Sequence, residues 1–139
     1  VKPGNKVCVV GDGKLGLLCA ISFVKDGWKP VLVGRHPEKM KLAVGAESIL
    51  ASDALGKYAR EFDVVVDATG NPDGLQLSQQ LCAPMGTLVL KSTCAAGSTF
   101  NTAPYVIDEL KIIGSRCGPF DAALEMLASG LDLTPLISE

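Results

Sequence analysis

The sequence predicts an α/β protein in which a parallel sheet is covered by helices on both faces. Short apolar runs rich in β-branched residues alternate with segments of helical periodicity along the chain. Most of these runs are continuously apolar, which is typical of strands that are buried on both sides. A glycine-rich turn joins the first run to the first helical segment. Together these features predict a doubly wound, six-stranded parallel sheet of order 3-2-1-4-5-6.

Each predicted element has its own pattern. FDVVVDATG is the clearest strand, because its β-branched residues follow one another almost without interruption. The predicted strands cover 6–11, 31–34, 47–50, 62–70, 86–92 and 110–116. The predicted helices cover 14–27, 38–44, 52–61, 71–84 and 119–130, the third being a short helix or an irregular crossover.

Helix ends and buried faces are predicted from residue type and spacing. Helix 14–27 ends at Gly27, a common residue just after a helix. Helix 52–61 is expected to have Ser52 or Asp53 as its cap, because their side chains accept bonds from first-turn amides. The apolar stripe expected on the first helix consists of Leu15, Leu18, Cys19, Ser22 and Phe23.

Length and composition indicate one globular domain spanning 1–139. Hydrophobic residues make up 47% of the 139 residues and charged residues 20%, with a net charge of −2. This acidic balance argues against nucleic-acid binding, which needs a basic surface. No apolar run is long enough for a membrane helix, and the start VKPGNK lacks the pattern of a signal peptide. We therefore expect a soluble, cytoplasmic protein that contacts no membrane.

The five cysteines are expected to be reduced thiols. Their number is odd and no two have the CxxC spacing typical of zinc sites or redox pairs. Cys8 lies between two valines of the first strand, where a thiol usually serves as a small apolar side chain. They are Cys8, Cys19, Cys82, Cys94 and Cys117.

The glycine-rich turn has the pattern G-x-G-x-x-G. It follows a strand and opens a helix, which is the context in which this short motif predicts dinucleotide binding in a Rossmann fold. Gly11 allows the tight turn, Gly13 lets a pyrophosphate approach the backbone, and Gly16 lets the helix pack closely.

The amides of Lys14 and Leu15 are expected to face the phosphates, because a helix N-terminus favours negative charge. Two other interpretations are open. The turn could bind no ligand, or it could belong to an S-adenosylmethionine enzyme, although those proteins also generally have an acid after the second strand.

The end of the second strand, VLVGRHPEK, indicates which dinucleotide is bound. NAD-binding domains place an acid about 20 residues beyond the loop to hold the adenosine ribose, but here Gly34 occupies that place. Loss of the acid removes repulsion of a 2′-phosphate, and Arg35 supplies a guanidinium matched to phosphate oxygens. NADP(H) is therefore favoured over NAD(H), with His36 and Lys39 as further phosphate ligands. Glu38 is not assigned to the ribose.

Each of these three side chains also has a simpler interpretation. Arg35 could be a solvated loop arginine, His36 a surface histidine, and Lys39 a lysine on the exposed side of a helix.

The chain resembles the cofactor-binding domain of the medium-chain dehydrogenase/reductase superfamily, in its zinc-dependent alcohol dehydrogenase-like branch. The resemblance extends over essentially the whole chain. VKPGNKVCVVGDGKLGLL resembles the family's entry into this domain, FDVVVDATGNPDGL its fourth strand, GTLVLKST its fifth, LKIIGSRCG its sixth, and LTPLIS its return segment.

This resemblance implies further cofactor contacts. The turn after the fourth strand would border the adenosine half, and the ends of the fifth and sixth strands the nicotinamide. The adenosine set is Ala68, Thr69, Gly70 and Asn71, and the nicotinamide set is Lys91, Ser92, Thr93, Ile113 and Gly114. Thr69 and Asn71 could instead be turn residues, and Lys91 and Ser92 an exposed strand end.

The resemblance also implies what this chain lacks. The family's catalytic GroES-like domain with its zinc ligands has no counterpart here, since His36 is the only histidine. We therefore expect a cofactor domain from a longer oxidoreductase that transfers a hydride between nicotinamide and an alcohol or carbonyl, and we expect this segment to be inactive alone. Zinc is expected only in the absent domain, so this chain has no predicted catalytic or metal-ligating residue.

Other protein classes are compared with this assignment. Zinc-independent quinone reductases of the same superfamily are the second choice, and a non-catalytic dinucleotide sensor the third. Short-chain dehydrogenases are disfavoured because neither Tyr58 nor Tyr105 is followed four residues later by lysine.

By analogy with the resembled family, the last strand in ELKIIGSR is expected to pair with its two-fold mate in a homodimer.

Overall fold

A six-stranded parallel sheet runs through the protein in the order β3-β2-β1-β4-β5-β6. This computed structural model describes residues 1–94 and 99–137. The strands are β1 Val7–Val10, β2 Val31–Gly34, β3 Glu47–Leu50, β4 Phe62–Asp67, β5 Cys82–Leu90 and β6 Lys111–Gly114. The helices are α1 Lys14–Lys25, α2 Pro37–Met40, α3 Ala51–Tyr58, α4 Pro72–Leu81, α5 Ala103–Ile107 and α6 Phe120–Ala128, followed by a 3₁₀ turn at Thr134–Leu136. The predicted Rossmann topology is confirmed.

The register of the central strands places three loops at one edge of the sheet. Val10 at the end of β1 pairs with Val33 of β2 on one side and with Asp67 of β4 on the other. Because all the strands are parallel, the loops after β1, β2 and β4 open at this same edge. The strand order reverses between β1 and β4, which is the point where doubly wound sheets bind ligands.

Two apolar clusters cover the two faces of the sheet. Cys8 and Val10 of β1 belong to one cluster, together with residues of α3 and α4. Val9 belongs to the other, which contains Leu17 and Ala20 of α1. The central strands β1 and β2 are buried along their whole length, as their continuous apolar runs predict. The outer strands are different: β3 is largely exposed and every residue of β6 is exposed.

The buried face of α1 differs from the predicted stripe. Gly16, Leu17 and Ala20 are buried, whereas Leu15 and Leu18 are exposed. A Cβ at Gly16 would lie 1.8 Å from the carbonyl oxygen of Gly11, so the glycine loop determines how the helix is rotated against the sheet. Apolar periodicity alone does not contain this constraint.

Other boundaries also differ from the prediction. Helix α3 begins at Ala51 directly after β3, and its N-cap is Leu50 without a side-chain bond, so the predicted caps Ser52 and Asp53 are wrong. Strand β5 begins at Cys82, immediately after α4, rather than at 86. Helix α5 was not predicted. The resembled return segment contains the 3₁₀ turn, but its last residue, 138, lies outside the described residues.

Within residues 1–94 and 99–137, no helix has the length and apolar character needed to span a membrane. The cytoplasmic location expected from the sequence stays a prediction.

Candidate functional site

The glycine loop between β1 and α1 is tightly packed on one side and open on the other. Gly11 has φ +117, and a Cβ there would lie 2.9 Å from the carbonyl oxygen of Ala68. Gly13 is the N-cap of α1 in an extended conformation, and a Cβ on it would meet nothing within 4 Å. The space over Gly13 is therefore accessible to a ligand.

The N-terminus of α1 is suited to an anion. The N-cap Gly13 provides no side-chain oxygen, so the first-turn amides, including those of Lys14 and Leu15, have no capping side chain. No acidic residue lies in the first turn to neutralise the helix dipole. The predicted contact of these amides with a pyrophosphate agrees with this geometry.

A cavity of about 470 Å³ opens at the edge of the sheet where the loops after β1, β2 and β4 meet. It brings together residues predicted from three separate segments of the sequence. These are Gly11, Gly13, Gly34, Arg35, His36, Lys39, Ala68, Thr69 and Asn71. The volume is within the range of small-molecule sites in proteins.

Asp12 was not predicted as a site residue, yet its carboxylate is a central group of this cavity. One of its oxygens, Oδ2, accepts hydrogen bonds from the backbone amides of Arg35 at 2.7 Å and His36 at 2.6 Å. Nδ1 of the His36 ring lies 3.1 Å from Oδ2 and 3.2 Å from Oδ1. The Asp12 side chain is 10% exposed. The glycine loop is thus tied to the segment after β2.

Asp12 also fills the space that the glycine at the end of β2 leaves. A Cβ at Gly34 would lie 2.6 Å from Cβ and Oδ2 of Asp12 and 2.7 Å from its Cγ. The sequence interpretation that Gly34 clears both space and charge is therefore incomplete. An acid does lie beside the end of β2, but the glycine loop supplies it.

The hydrogen bonds of Asp12 favour its charged form. Burial by itself would raise the pKa of this carboxyl, but the bonds from the His36 amide and ring and from the Arg35 amide outweigh burial and lower the pKa. Asp12 is therefore a carboxylate at neutral pH. Both backbone bonds are accepted by Oδ2, so this oxygen is directed at the protein backbone rather than at the cavity.

The three predicted phosphate ligands lie along the wall of the cavity. Arg35 and Lys39 are exposed, and within the described part of the chain neither forms an ion pair. His36 is oriented by Asp12 through Nδ1, which leaves Nε2 without a protein partner in the same described ranges. Two cations are thus available to an anion, and Nε2 of His36 can donate to one only when both ring nitrogens carry a proton, because Nδ1 is the nitrogen that donates to Asp12.

The turn after β4 is held by its own polar side chains. Asp67 is buried and accepts bonds from the Thr69 amide at 3.0 Å and the Thr69 hydroxyl at 2.7 Å. Asn71 is the N-cap of α4, and its Oδ1 accepts from the amide of Gly74 at 2.8 Å. The interpretation of Thr69 and Asn71 as turn residues is confirmed, and both also line the cavity.

Predicted nicotinamide-bordering residues lie farther along the same edge of the sheet. Leu90 at the end of β5 pairs with Gly114 at the end of β6, which places Lys91 and Ile113 close to this edge. The Ser92 hydroxyl accepts from the amide of Gly70 at 2.8 Å and so joins the β5 end to the turn after β4. The set Lys91, Ser92, Thr93, Ile113 and Gly114 does not line the 470 Å³ cavity.

Lys91 has an intramolecular partner that sequence reasoning did not predict. Its ammonium donates to the carbonyl oxygen of Arg116 and lies 3.4 Å from the hydroxyl of Ser115. This contact connects the segments that follow β5 and β6.

The buried thiols are structural. Cys8 and Cys82 are fully buried, and burial raises the pKa of Cys82 to about 12.

Among the described residues, no group of three or more His, Cys, Asp or Glu side chains could hold a metal ion. The residues present therefore do not fit a zinc ion, and no zinc chemistry is assigned to them.

Residues 15–129 match the family described as zinc-binding dehydrogenase. The chain belongs to this family. It lies in the alcohol dehydrogenase-like branch of the medium-chain dehydrogenase/reductase superfamily, as its resemblance predicted. Known relatives are alcohol and polyol dehydrogenases, so the family is one of oxidoreductases.

Among the relatives of this zinc-binding dehydrogenase chain, the D-altritol 5-dehydrogenase of Agrobacterium fabrum is 33% identical over 123 residues, which cover 84% of this chain and 36% of that protein. Glucose 1-dehydrogenase 2 of Vulcanisaeta moutnovskia is 30% identical over 135 residues, covering 89% of this chain and 39% of that protein.

A solved structure described as a zinc-binding dehydrogenase from Sinorhizobium meliloti 1021, bound to NADP, superposes with a TM-score of 0.86. It is 25% identical in sequence, and the match covers 99% of this chain and 46% of that one. The chain thus spans less than half the length of these relatives.

Proposed function

We propose that this chain is the NADP(H)-binding domain of an alcohol or polyol dehydrogenase that moves a hydride between nicotinamide and an alcohol or carbonyl substrate. The observation that carries the proposal is the open glycine loop at the reversal point of the sheet, with an uncapped helix N-terminus beside it. Membership of the zinc-binding dehydrogenase family supports the same assignment.

In this proposal the pyrophosphate lies over Gly13. The amides of Lys14 and Leu15 donate to it, and the α1 dipole favours its charge. The absence of a Cβ at Gly13 allows the close approach, because nothing else lies within 4 Å on that side. The adenosine half extends from there toward Arg35, His36 and the turn 68–71 along the cavity.

The choice of NADP(H) is supported by the charges at the end of β2. Asp12 is the acid that contacts the position of Gly34, and its Oδ2 is already engaged by two amides. The other acid that lines the cavity, Asp73, lies in the first turn of α4. Arg35 and Lys39 are available for a 2′-phosphate, and a guanidinium can bind two phosphate oxygens at once. The NADP complex of the Sinorhizobium meliloti relative agrees with this choice.

The chemistry of the reaction divides between this domain and the rest of the enzyme. When bound, the nicotinamide ring supplies the hydride donor or acceptor. The segments after β5 and β6 would position it, because their ends lie at the same edge as the glycine loop. We propose that the substrate-binding and zinc-binding groups belong to the part of the dehydrogenase outside this chain.

We also propose that β6 mediates homodimer formation. It is the edge strand of the sheet, and Ile112 and Ile113 are 42% and 50% exposed. An exposed apolar edge favours pairing with another strand, and a two-fold partner would provide one.

Titration of the full-length protein with NADPH and NADH by calorimetry tests the cofactor assignment. We expect tighter binding of NADPH, and Arg35→Ala should reduce NADPH affinity by about 1–3 kcal/mol while leaving NADH nearly unchanged, because only the 2′-phosphate contact is lost. Glu38→Gln is the matched control, since it removes an exposed charge near the site whose partner is Lys41 at 3.0 Å. Tighter binding of NADH by the unmodified protein would contradict the NADP(H) assignment.

A further inference from the structure

The contacts of Asp12 go beyond what a glycine loop needs for binding a pyrophosphate. Three donors from the segment after β2 converge on this one carboxylate: the amide of Arg35, and the amide and Nδ1 of His36. Nothing in the proposed pyrophosphate contacts uses this side chain. Its contacts all connect the loop after β1 to the loop after β2.

The direction of these bonds determines what Asp12 can do. Both backbone amides donate to Oδ2 at 2.6–2.7 Å, which is the short distance typical of charge-assisted hydrogen bonds. Two consecutive amides held by one oxygen fix the orientation of the peptide units on which the Arg35 and His36 side chains are mounted. The imidazole is also held, through Nδ1, so its other nitrogen faces away from Asp12.

The space at the end of β2 supports the same role. Gly34 is the residue at which an acid would normally hold a ribose, but a side chain at this position would collide with Asp12. The side chain of Asp12 is 10% exposed, so little of it is offered to a ligand. The acid beside the end of β2 thus binds backbone amides.

We propose that Asp12 is a positioning residue for cofactor choice, whose carboxylate holds the 35–36 backbone so that the guanidinium of Arg35 meets the 2′-phosphate of NADP(H), joined by Nε2 of His36 when both ring nitrogens carry a proton. This inference rests on the proposed function. It assigns Asp12 an indirect role: the residue touches no cofactor atom and acts through Arg35 and His36.

The competing role is that Asp12 replaces the missing ribose acid. In that case Oδ1, whose one hydrogen-bond partner within residues 1–94 and 99–137 is the His36 ring, would accept from a ribose hydroxyl, and the negative charge would repel a 2′-phosphate. The two roles predict opposite changes in cofactor preference when the carboxylate is removed.

Calorimetric titration of the full-length protein distinguishes them. Asp12→Ala removes the bonds to both amides, so NADPH affinity should fall about tenfold while NADH affinity changes less than about threefold. Asp12→Asn keeps an oxygen for the amides and gains an NH₂ that can donate to the imidazole. It should restore NADPH affinity to within about threefold of the unmodified protein.

A double variant tests whether Asp12 acts through Arg35. In the Arg35→Ala background the further loss caused by Asp12→Ala should be about threefold or less, because the main group that Asp12 positions is already gone. Glu38→Gln should leave both affinities unchanged and so serves as the control for the removal of one nearby negative charge.

Three results would overturn the inference. The first is an increase in NADPH affinity with a loss of NADH affinity in both Asp12 variants. The second is an equal loss of affinity for both cofactors in Asp12→Ala. The third is a full tenfold loss of NADPH affinity in the double variant relative to Arg35→Ala alone. Failure of the proposed cofactor is distinguishable from these results, because it would be seen in the unmodified protein as tighter binding of NADH.

Discussion

Gly34→Ala measures how firmly the Asp12 side chain is fixed at the end of β2. The three atoms nearest to the added Cβ, at 2.6–2.7 Å, all belong to Asp12. That side chain cannot turn away without breaking its bonds to the amides of Arg35 and His36. Overpacking of a well-packed site costs about 1–3 kcal/mol, and a hydrogen bond to a charged group contributes about 1.5–3 kcal/mol. We expect a loss of about 2 kcal/mol in the free energy of unfolding.

A double-mutant cycle with Asp12→Gly, measured by urea denaturation, isolates the part of the loss in unfolding free energy that comes from the contact between the added Cβ and Asp12. Asp12→Gly removes the Cβ as well as the carboxylate, so the double variant should be no less stable than Asp12→Gly alone. The coupling free energy between the two positions should then be about 2 kcal/mol. Additivity within about 0.5 kcal/mol would refute the reasoning, because it would mean that the two side chains do not compete for the same space.

Gly56→Ala is the matched control for this experiment. Gly56 lies within α3, and a Cβ there would meet nothing within 4 Å. The same chemical change should therefore stabilise the protein by about 0.5–1 kcal/mol, because alanine is the better helix former. Opposite signs at 34 and 56 would assign the loss at 34 to the contact with Asp12.

Two further predictions concern pH and assembly. The lowered pKa of Asp12 means that its stabilising contribution is present above the unfolded value of about 3.9 and is lost as pH falls through the folded value. The difference in unfolding free energy between the unmodified protein and Asp12→Asn should therefore be constant from pH 7 to about pH 5 in urea titrations and should shrink as the pH falls below about 4. A difference that stays constant below about pH 4 as well would contradict this. For the dimer, light scattering should give twice the monomer mass. Ile112→Lys should lower the measured mass to that of the monomer, because it places a charge on the edge strand β6. A monomer mass for the unmodified protein would count against the proposal.

The fold could be predicted from the sequence because each central strand has a clear local pattern. Continuous apolar runs at Val7–Val10 and Val31–Gly34 belong to strands that are buried on both faces, and that arrangement requires helices on each side. The glycine loop then identified the first strand and, with it, the reversal point of the sheet. The predicted order also placed β3 and β6 at the two ends of the sheet, although the exposure of their side chains was not predicted, because it depends on how far the helices cover each strand.

Details that depend on contacts between segments could not be predicted in this way. The rotation of α1 follows from the approach of Gly16 to the Gly11 carbonyl, whereas the predicted stripe used only the apolar residues of the helix itself. The start of α3 at Ala51 follows from its direct continuation from β3, which left Ser52 and Asp53 inside the helix. In both cases a neighbouring element overrides a local signal.

The role of Asp12 is the clearest case of this kind. In sequence it is one of the variable positions of the glycine motif, where no particular side chain is expected. The parallel register of β1 and β2 pairs Val10 with Val33. Asp12, two residues after Val10, therefore lies beside Gly34, the residue that follows Val33. A signal was therefore present: an acid at the second position of the loop, combined with a glycine at the end of the second strand. Neither residue indicates the arrangement without the other.

The location of this carboxylate on the glycine loop determines what it can contact. An acid mounted on the end of β2 would extend from the strand toward the ribose and would carry its charge into the cavity. Mounted on the glycine loop, the acid approaches β2 from the side, where the amides of Arg35 and His36 are the nearest donors. Those amides engage Oδ2, and Arg35 and Lys39 line the same cavity with no ion-pair partner among the described residues. The absence of an acid at Gly34 is thus one half of a paired arrangement, and Asp12 is the other half.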